Sequence, residues 1–293
     1  LALNQGVTLC TYADMVRVPG SGGLSLQRAK AQGADVRMVY SVADALAIAR
    51  AAPEKQVVFF AIGFETTTPP TALALEQARA EGLANFSVFC NHVLTPAAMR
   101  SILDARDGDA VSLDGFIGPA HVSVVIGTDP YAFVPATYRK PVVIAGFEPL
   151  DVLQSVLMLV DQLNDGRCVV ENEYTRAVTA HGNAKAQDLM ARVFQVRDWF
   201  EWRGLGRVPH SALCIRDAWA DWDAERRFAV PALSVPDHKA CQCGPILRGV
   251  KQPRDCKLFG TACTPETPLG SCMVSSEGAC AAHYTYGRFR GAA

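Results

Sequence analysis

Two stretches, VVFFAIGFETTTPPTALAL (residues 57–75) and PVVIAGFEPLDVLQSVL (residues 141–157), share one layout. Each runs from an apolar segment through Gly-Phe-Glu into a segment that opens with proline and continues with helical periodicity. Strands that are apolar without alternation are buried on both faces, which is the signature of a parallel sheet covered by helices. Proline suits the first turn of a helix because its missing N–H would have had no partner there. Chance likeness of two ordinary strand-to-helix turns would give the same pattern. The fuller reading is two similar lobes that face a cleft, each placing a carboxylate, Glu65 or Glu148, at a strand end where α/β proteins bind ligands.

Outward from these stretches the alternation continues. DVRMVYS (35–41), FSVFCNHV (86–93) and FIGPAHVSVVIG (116–127) read as further buried strands. VADALAIARAA (42–52), PAAMRSILDA (96–105) and LDVLQSVLMLVDQL (150–163) read as helices. The expected fold class is therefore α/β, with two similar parallel-sheet lobes and a small cysteine-rich appendix. The expected boundaries are 1–130 for the first lobe, 131–195 for the second, and 196–293 for a loop-rich remainder in which 241–293 form the cysteine-rich domain. DAWADWDAERRFAV (217–230) offers one more helix.

The chain of 293 residues is long enough for such a layout, and 49% of it is hydrophobic. A formal net charge of -1 gives no ground for nucleic-acid binding. No apolar run reaches the roughly 20 residues that span a bilayer, because Glu65, Glu148 and Asp161 interrupt the most hydrophobic stretches. Four of the ten cysteines, Cys10, Cys90, Cys168 and Cys214, are scattered, and Cys10 and Cys90 sit in apolar strand-like runs. Scattered core thiols point to a reducing cytoplasm.

The other six, Cys241, Cys243, Cys256, Cys263, Cys272 and Cys280, crowd into 40 residues with too little apolar periodicity to form a core unaided. Zinc ribbons take ligands as close pairs such as Cys-x2-Cys, which are absent, and an all-disulfide staple suits a small secreted domain rather than this chain. An iron-sulfur cluster accepts four thiolates from separate loops. That makes a cluster plus two further thiols the favoured partition, with structural zinc and disulfides as alternatives; spacing alone does not choose the four. Glu277, His283 and Tyr284 flank the last of these cysteines and are candidates to surround the ligands.

In the body, Thr66, Thr67 and Thr68 precede a proline-started helix, so capping is their first reading, whereas Glu65 is a candidate acid, base or hydrogen-bond acceptor. His92 and His121 lie in or beside strand-like runs, where a hydrogen-bonded structural role is the commoner one. Glu173, Arg176, His181 and Asn183 suggest a polar network or a helix cap. No P-loop, Gly-x-Gly-x-x-Gly or Gly-x-Ser-x-Gly motif occurs, which removes support for a standard nucleotide site or serine hydrolase.

Taken together, GFETTTPPTA, NHVLTPAAM, DGFIGPAHVSVVIG, PVVIAGFEPLDVL, NEYTRAVTAHGNAKAQ, EWRGLG and DCKLFGTACTPETPLGSCMVSSEGACAAHY resemble the HypD family of hydrogenase maturation proteins over essentially the whole chain. The resemblance implies a 4Fe-4S cluster on the family's Cys-x14-Cys-x6-Cys-x16-Cys pattern, which Cys241, Cys256, Cys263 and Cys280 match. It leaves Cys243 and Cys272 as a dithiol/disulfide pair beside the cluster. It further implies a scaffold on which an iron atom becomes an Fe(CN)2CO group, with a HypC-like chaperone and a HypE-like cyanide donor as partners. Glu65, Thr66, Thr67, His121 and Glu148 would then line the cleft. Redox maturation chemistry, rather than classical enzyme turnover, is the expected activity. A stand-alone iron-sulfur oxidoreductase and a structural zinc protein are the competing readings. The family's Cys-Gly-Gly-His-Thr-His and Gly-Pro-Gly-Cys-Pro-Val-Cys motifs are absent, and the expectation is that the sequence is truncated upstream, so that the family's iron ligand lies outside it.

Overall fold

The computed structural model describes residues 1–20, 23–104, 111–230 and 237–287. It is a mixed α/β fold with parallel sheets. Strands β1 (Thr8–Thr11), β2 (Val36–Met38), β3 (Val57–Gly63) and β4 (Phe86–His92) form a four-stranded parallel sheet in the order β2-β1-β3-β4. The helices α1 (Leu26–Ala31), α2 (Val42–Ala51), α3 (Thr68–Ala80) and α4 (Thr95–Leu103) are interleaved with its strands. The Val57–Gly63 strand lies inside the sheet, between β1 and β4. Val57, Val58, Phe59 and Ala61 are fully buried, and β3 pairs with β4 from Val57↔Phe86 to Gly63↔His92.

A second parallel sheet joins β5 (Phe116–Pro119), β6 (Val142–Ala145) and β7 (Val170–Asn172), with β6 central. Around it in sequence lie α5 (Ala120–Ile126), α6 (Phe133–Tyr138) and α7 (Pro149–Asn164). Two sequence expectations need correction here. FIGPAHVSVVIG is not one strand: it breaks after Pro119, and the apolar run continues as α5, whose buried Val122 and Val125 sit at helical spacing. The change of sheet also falls before residue 130, because β5 hydrogen-bonds to β6 rather than to β4.

The chain then returns to the first sheet. After α8 (Ala184–Val193), β8 (Phe194–Val196) pairs antiparallel with β11 (Leu213–Ile215), and Val193, Phe194, Leu213, Ile215 and Trp219 pack into the core under β3 and β4. Residues 193–194 and 213–219 therefore contribute to the first core. Arg197 fastens this return: its guanidinium donates to the carbonyls of Leu213 and Cys90 at 2.9 and 3.1 Å and pairs with Glu225. A half-buried guanidinium keeps its charge here because neutral and anionic acceptors replace its lost water. Between β8 and β11 rises a hairpin of β9 (Trp199–Trp202) and β10 (Gly206–Pro209). The expected helix near 217–230 is a 3-10 segment kinked at Trp219 (Asp217–Trp222) followed by the short α9 (Ala224–Arg227). The cysteine-rich segment contributes α10 (Cys243–Leu247) and α11 (Ala279–Tyr286), separated by two short 3-10 turns. Among the described residues no helix is long and apolar enough to cross a membrane.

Candidate functional site

The six late cysteines all reach one small core. Cys243 opens α10, Cys256 follows the turn Pro253–Asp255, Cys272 lies in the turn Ser271–Met273, and Cys280 sits in the first turn of α11. With Ile246, Met273 and Ala281 they make up most of the segment's buried surface, and Cys241 packs at its edge. Thiols thus stand where a larger domain would place leucines, which accounts for the low aliphatic content of the sequence there. A pocket of about 10 Å³ is lined by Cys241, Cys243, Cys256, Cys263 and Cys280, while Cys272 is not on its wall. Sγ of Cys241 lies 3.3 Å from Sγ of Cys243, the Cys272 N–H points at Cys243 Sγ at 3.5 Å, and the Leu269 N–H donates to Cys263 Sγ at 3.3 Å. Hydrogen bonding first from Cys241, then from Cys272 and Cys280, holds Cys243 well below the usual thiol range, whereas Cys241 and Cys272 are pushed up as its donors.

Among the described residues no three His, Cys, Asp or Glu side chains stand at metal-binding geometry. The donor set nevertheless fits an iron-sulfur cluster: thiols from separate turns, backbone N–H groups aimed at sulfur, and an apolar wall of Ile246, Leu258, Phe259 and Met273. Of the neighbours expected from sequence, His283 packs on Phe259 with ring centroids 5.6 Å apart, and its buried Nε2 has no partner among the described residues. Tyr284 packs on the same ring at 6.1 Å. Glu277 is exposed and acts elsewhere, on His121.

The strand-end residues do not form one group. Glu65 is buried, and its carboxylate accepts from the Thr95 N–H at 2.9 Å and the Thr95 hydroxyl at 2.8 Å. Burial raises its pKa and these bonds pull it back. It thus caps the start of α4 from 30 residues away, an acceptor's role that satisfies an otherwise orphaned helix N–H. Thr67 stands at the N-cap of α3 but makes no side-chain cap bond; its hydroxyl donates back to the Ile62 carbonyl at 2.8 Å. Gly63 permits this contact, since it has φ of +102° and a Cβ there would lie 2.5 Å from Thr67 Oγ1. Thr68 likewise bonds the Phe64 carbonyl, and Thr66 is half-buried.

His92 ends β4 fully buried, and Nε2 lies 2.9 Å from Thr71 Oγ1. The Thr71 hydroxyl proton is committed to the Thr67 carbonyl at 2.9 Å, so Nε2 carries the imidazole proton and donates it. Burial lowers the His92 pKa to about 4, and the ring is a neutral structural group. His121 opens α5 and stacks on Phe147 with centroids 5.0 Å apart. Burial lowers its pKa while the Glu277 carboxylate opposes that. Glu148 is exposed and pairs with Arg176 at 3.1 Å; Arg176 also holds Asp151 at 2.5 Å and lies over the Tyr174 ring at 3.9 Å. The expected Glu173–Asn183 network therefore divides: His181 pairs with Asp129 at 2.7 Å, and Asn183 caps α8 through the Ala186 N–H at 3.1 Å.

Glu65 lines a cavity of about 490 Å³ whose walls include Arg100, Asp104, Phe133 and His210 but not Thr66, Thr67, His121 or Glu148. Arg100 lies 3.9 Å over the Phe133 ring. Nothing in the local sequence marks Arg100, Asp104 or His210. Cys10 and Cys90, by contrast, sit where expected, buried in β1 and β4 with burial pushing both thiols up to about 12.

A two-sheet α/β body carries six thiols gathered in one small core, and comparison with known proteins gives its family. Residues 1–287 match the HypD family model, described as "Hydrogenase formation hypA family". The chain is 64% identical over 293 residues to the hydrogenase maturation factor HypD of Rhizobium leguminosarum bv. viciae, covering 99% of this chain and 76% of that protein. It is 66% identical over 293 residues to the HypD of Azotobacter vinelandii, with 99% and 77% covered. To the HypD of Escherichia coli K12 it is 47% identical over 286 residues, with 98% and 76% covered. The chain belongs to the HypD family.

Proposed function

We propose that the chain acts in hydrogenase assembly, the role stated in the names of its relatives, and that its cysteine-rich segment performs the redox part of that work. In this reading Cys241, Cys256, Cys263 and Cys280 hold a 4Fe-4S cluster, and Cys243 and Cys272 are a thiol pair beside it. The observation that carries it is the convergence of all six thiols on one core, with the four cysteines of the spaced pattern and Cys243 on the pocket wall and Cys272 behind it. When bound, such a cluster supplies electrons one at a time. The chain's own groups prepare the site: the Leu269 and Cys272 N–H groups favour negative charge on Cys263 and Cys243, and Ile246, Leu258, Phe259 and Met273 exclude water.

The finer reading is of a cytoplasmic scaffold on which an iron atom, the cargo, gains two cyanides and one carbon monoxide. A HypC-like chaperone shares that iron and a HypE-like protein donates cyanide. His121 and Glu148 lie at strand ends and are the groups offered to that cargo, since Glu65 and Thr67 are engaged with Thr95 and the Ile62 carbonyl. The test is a chimera in which this chain replaces the matching three quarters of a relative, expressed in a host lacking its own family member. Hydrogenase activity restored by the chimera, and abolished by Cys243→Ser or Cys272→Ser with iron content retained, is the expected result. Undiminished activity in both serine variants contradicts the thiol-pair role, and a chimera that folds but restores nothing contradicts the assembly role.

A further inference from the structure

The turn between β9 and β10 lies against Cys243 from outside the cysteine-rich segment. A Cβ on Gly204 would meet Cys243 Cβ at 3.1 Å and Ser271 Oγ at 3.0 Å, and a Cβ on Gly244 would meet the Gly204 carbonyl oxygen at 2.9 Å. The Ser271 hydroxyl donates to the Arg203 carbonyl at 3.0 Å, and the Gly204 N–H donates to the Asp237 carboxylate at 2.6 Å. On the opposite side of the cysteine, a Cβ on Gly270 would lie 2.6 Å from both Cys241 Sγ and Cys243 Sγ. Cys243 is thus clamped between two glycines, one against its Cβ and one against its sulfur. The turn is itself anchored to the body. Arg203 donates to the Pro19 carbonyl at 2.9 Å, and Trp202 packs on Phe64, next to Glu65, with centroids 6.1 Å apart while its Nε1–H donates to Ser211 Oγ at 2.8 Å.

We propose that Gly204 and Gly270 are positioning residues for Cys243, and that the 203–205 turn fixes this thiol relative to the first sheet's β3 loop. The inference deepens the reading above, in which Cys243 belongs to the thiol pair. The two glycines act differently. Gly204 touches only Cys243 among the cysteines, so a side chain there pushes the turn off α10 by a few tenths of an ångström and loosens the packing over that thiol. Gly270 touches Cys241 as well, so a side chain there also displaces a proposed cluster ligand.

A substitution at Gly204 also strains the backbone, since its φ is +85°. Gly206, in the same hairpin, supplies the control: its φ is +72° and a Cβ there meets nothing within 4 Å. The experiment compares Gly204→Ala, Gly206→Ala and Gly270→Ala with the unsubstituted chain, all purified without oxygen. Two readouts are taken: the rate at which iodoacetamide labels Cys243, followed by peptide mass mapping, and the iron and sulfide content with its visible absorption. In Gly204→Ala, labelling of Cys243 is expected to rise by about tenfold with iron and sulfide unchanged, since accessibility governs the reaction of a buried thiol. Gly206→Ala is expected to stay within about twofold of the unsubstituted chain, because it carries the strain without the contact. Gly270→Ala is expected to lower iron and sulfide as well. Equal labelling in Gly204→Ala and Gly206→Ala overturns the inference, as does loss of iron in Gly204→Ala. If the unsubstituted chain holds neither iron nor sulfide, the cluster reading fails, while the two labelling rates still decide the role of Gly204.

Discussion

Acidification should unfold this protein partly through His92. The imidazole is fully buried, donates through Nε2 to Thr71, and has its pKa lowered from 6.5 to about 4 by burial. Below pH 6.5 the unfolded chain takes up a proton that the folded chain refuses, so stability falls as pH drops, and the loss saturates below the folded pKa. The depression corresponds to about 3 kcal/mol by pH 4, a large share of the ~5–15 kcal/mol that stabilises a typical domain. Other groups titrate in the same window. Asp35, held low first by its bond to Arg37, also loses stability in acid, whereas Glu65, raised by burial, is relieved by protonation. His92→Gln isolates the effect, since its amide can still donate to Thr71 but does not titrate. Urea denaturation of both proteins between pH 7 and pH 4 gives the comparison. The gap between them should narrow by about 3 kcal/mol as pH falls. A constant gap would refute the assignment of a buried, neutral His92.

Further expectations concern the same strand ends. Glu65→Ala leaves the Thr95 N–H and hydroxyl without their acceptor and should cost about 1–3 kcal/mol in denaturant unfolding; a change too small to measure would mean that α4 does not depend on this cap. Gly63→Ala places a Cβ 2.5 Å from Thr67 Oγ1 at a left-handed φ and should destabilise by at least about 1 kcal/mol, visible as a lowered urea midpoint. Cys10 and Cys90, buried and with pKa values near 12, should react with a thiol reagent only after unfolding. Labelling of either in the native protein would place it outside the core.

The parts of the fold visible in the sequence are those that a strand settles by itself. Val57–Gly63 and Val142–Ala145 are apolar without alternation because both faces are covered, and that pattern needs no knowledge of the neighbours. Pairing is another matter. Nothing local tells β5 to join β6, or returns Phe194 and Leu213 to the core beneath β3, because those choices depend on contacts between distant segments. The break at Pro119 was hidden because an apolar run reads alike as a short strand or a buried helix. At the site, crowding of cysteines was legible as a staple or redox centre from spacing and the lack of aliphatics. The capping of α4 by Glu65 and the action of Glu277 on His121 were not, since each joins residues far apart in the chain. Glu65 and Glu148 hold matching sequence positions yet differ completely in burial, so the echo between the two stretches does not extend to their carboxylates.

The most direct test of the central claim is the iron, acid-labile sulfide and zinc content of the chain purified without oxygen, alongside Cys256→Ser and Cys272→Ser. About four irons and four sulfides per chain, lost in Cys256→Ser but kept in Cys272→Ser, is the predicted result, because a cubane needs all four of its thiolates. One zinc with no sulfide, or equal loss in both variants, would contradict the assignment of Cys241, Cys256, Cys263 and Cys280 as the cluster ligands.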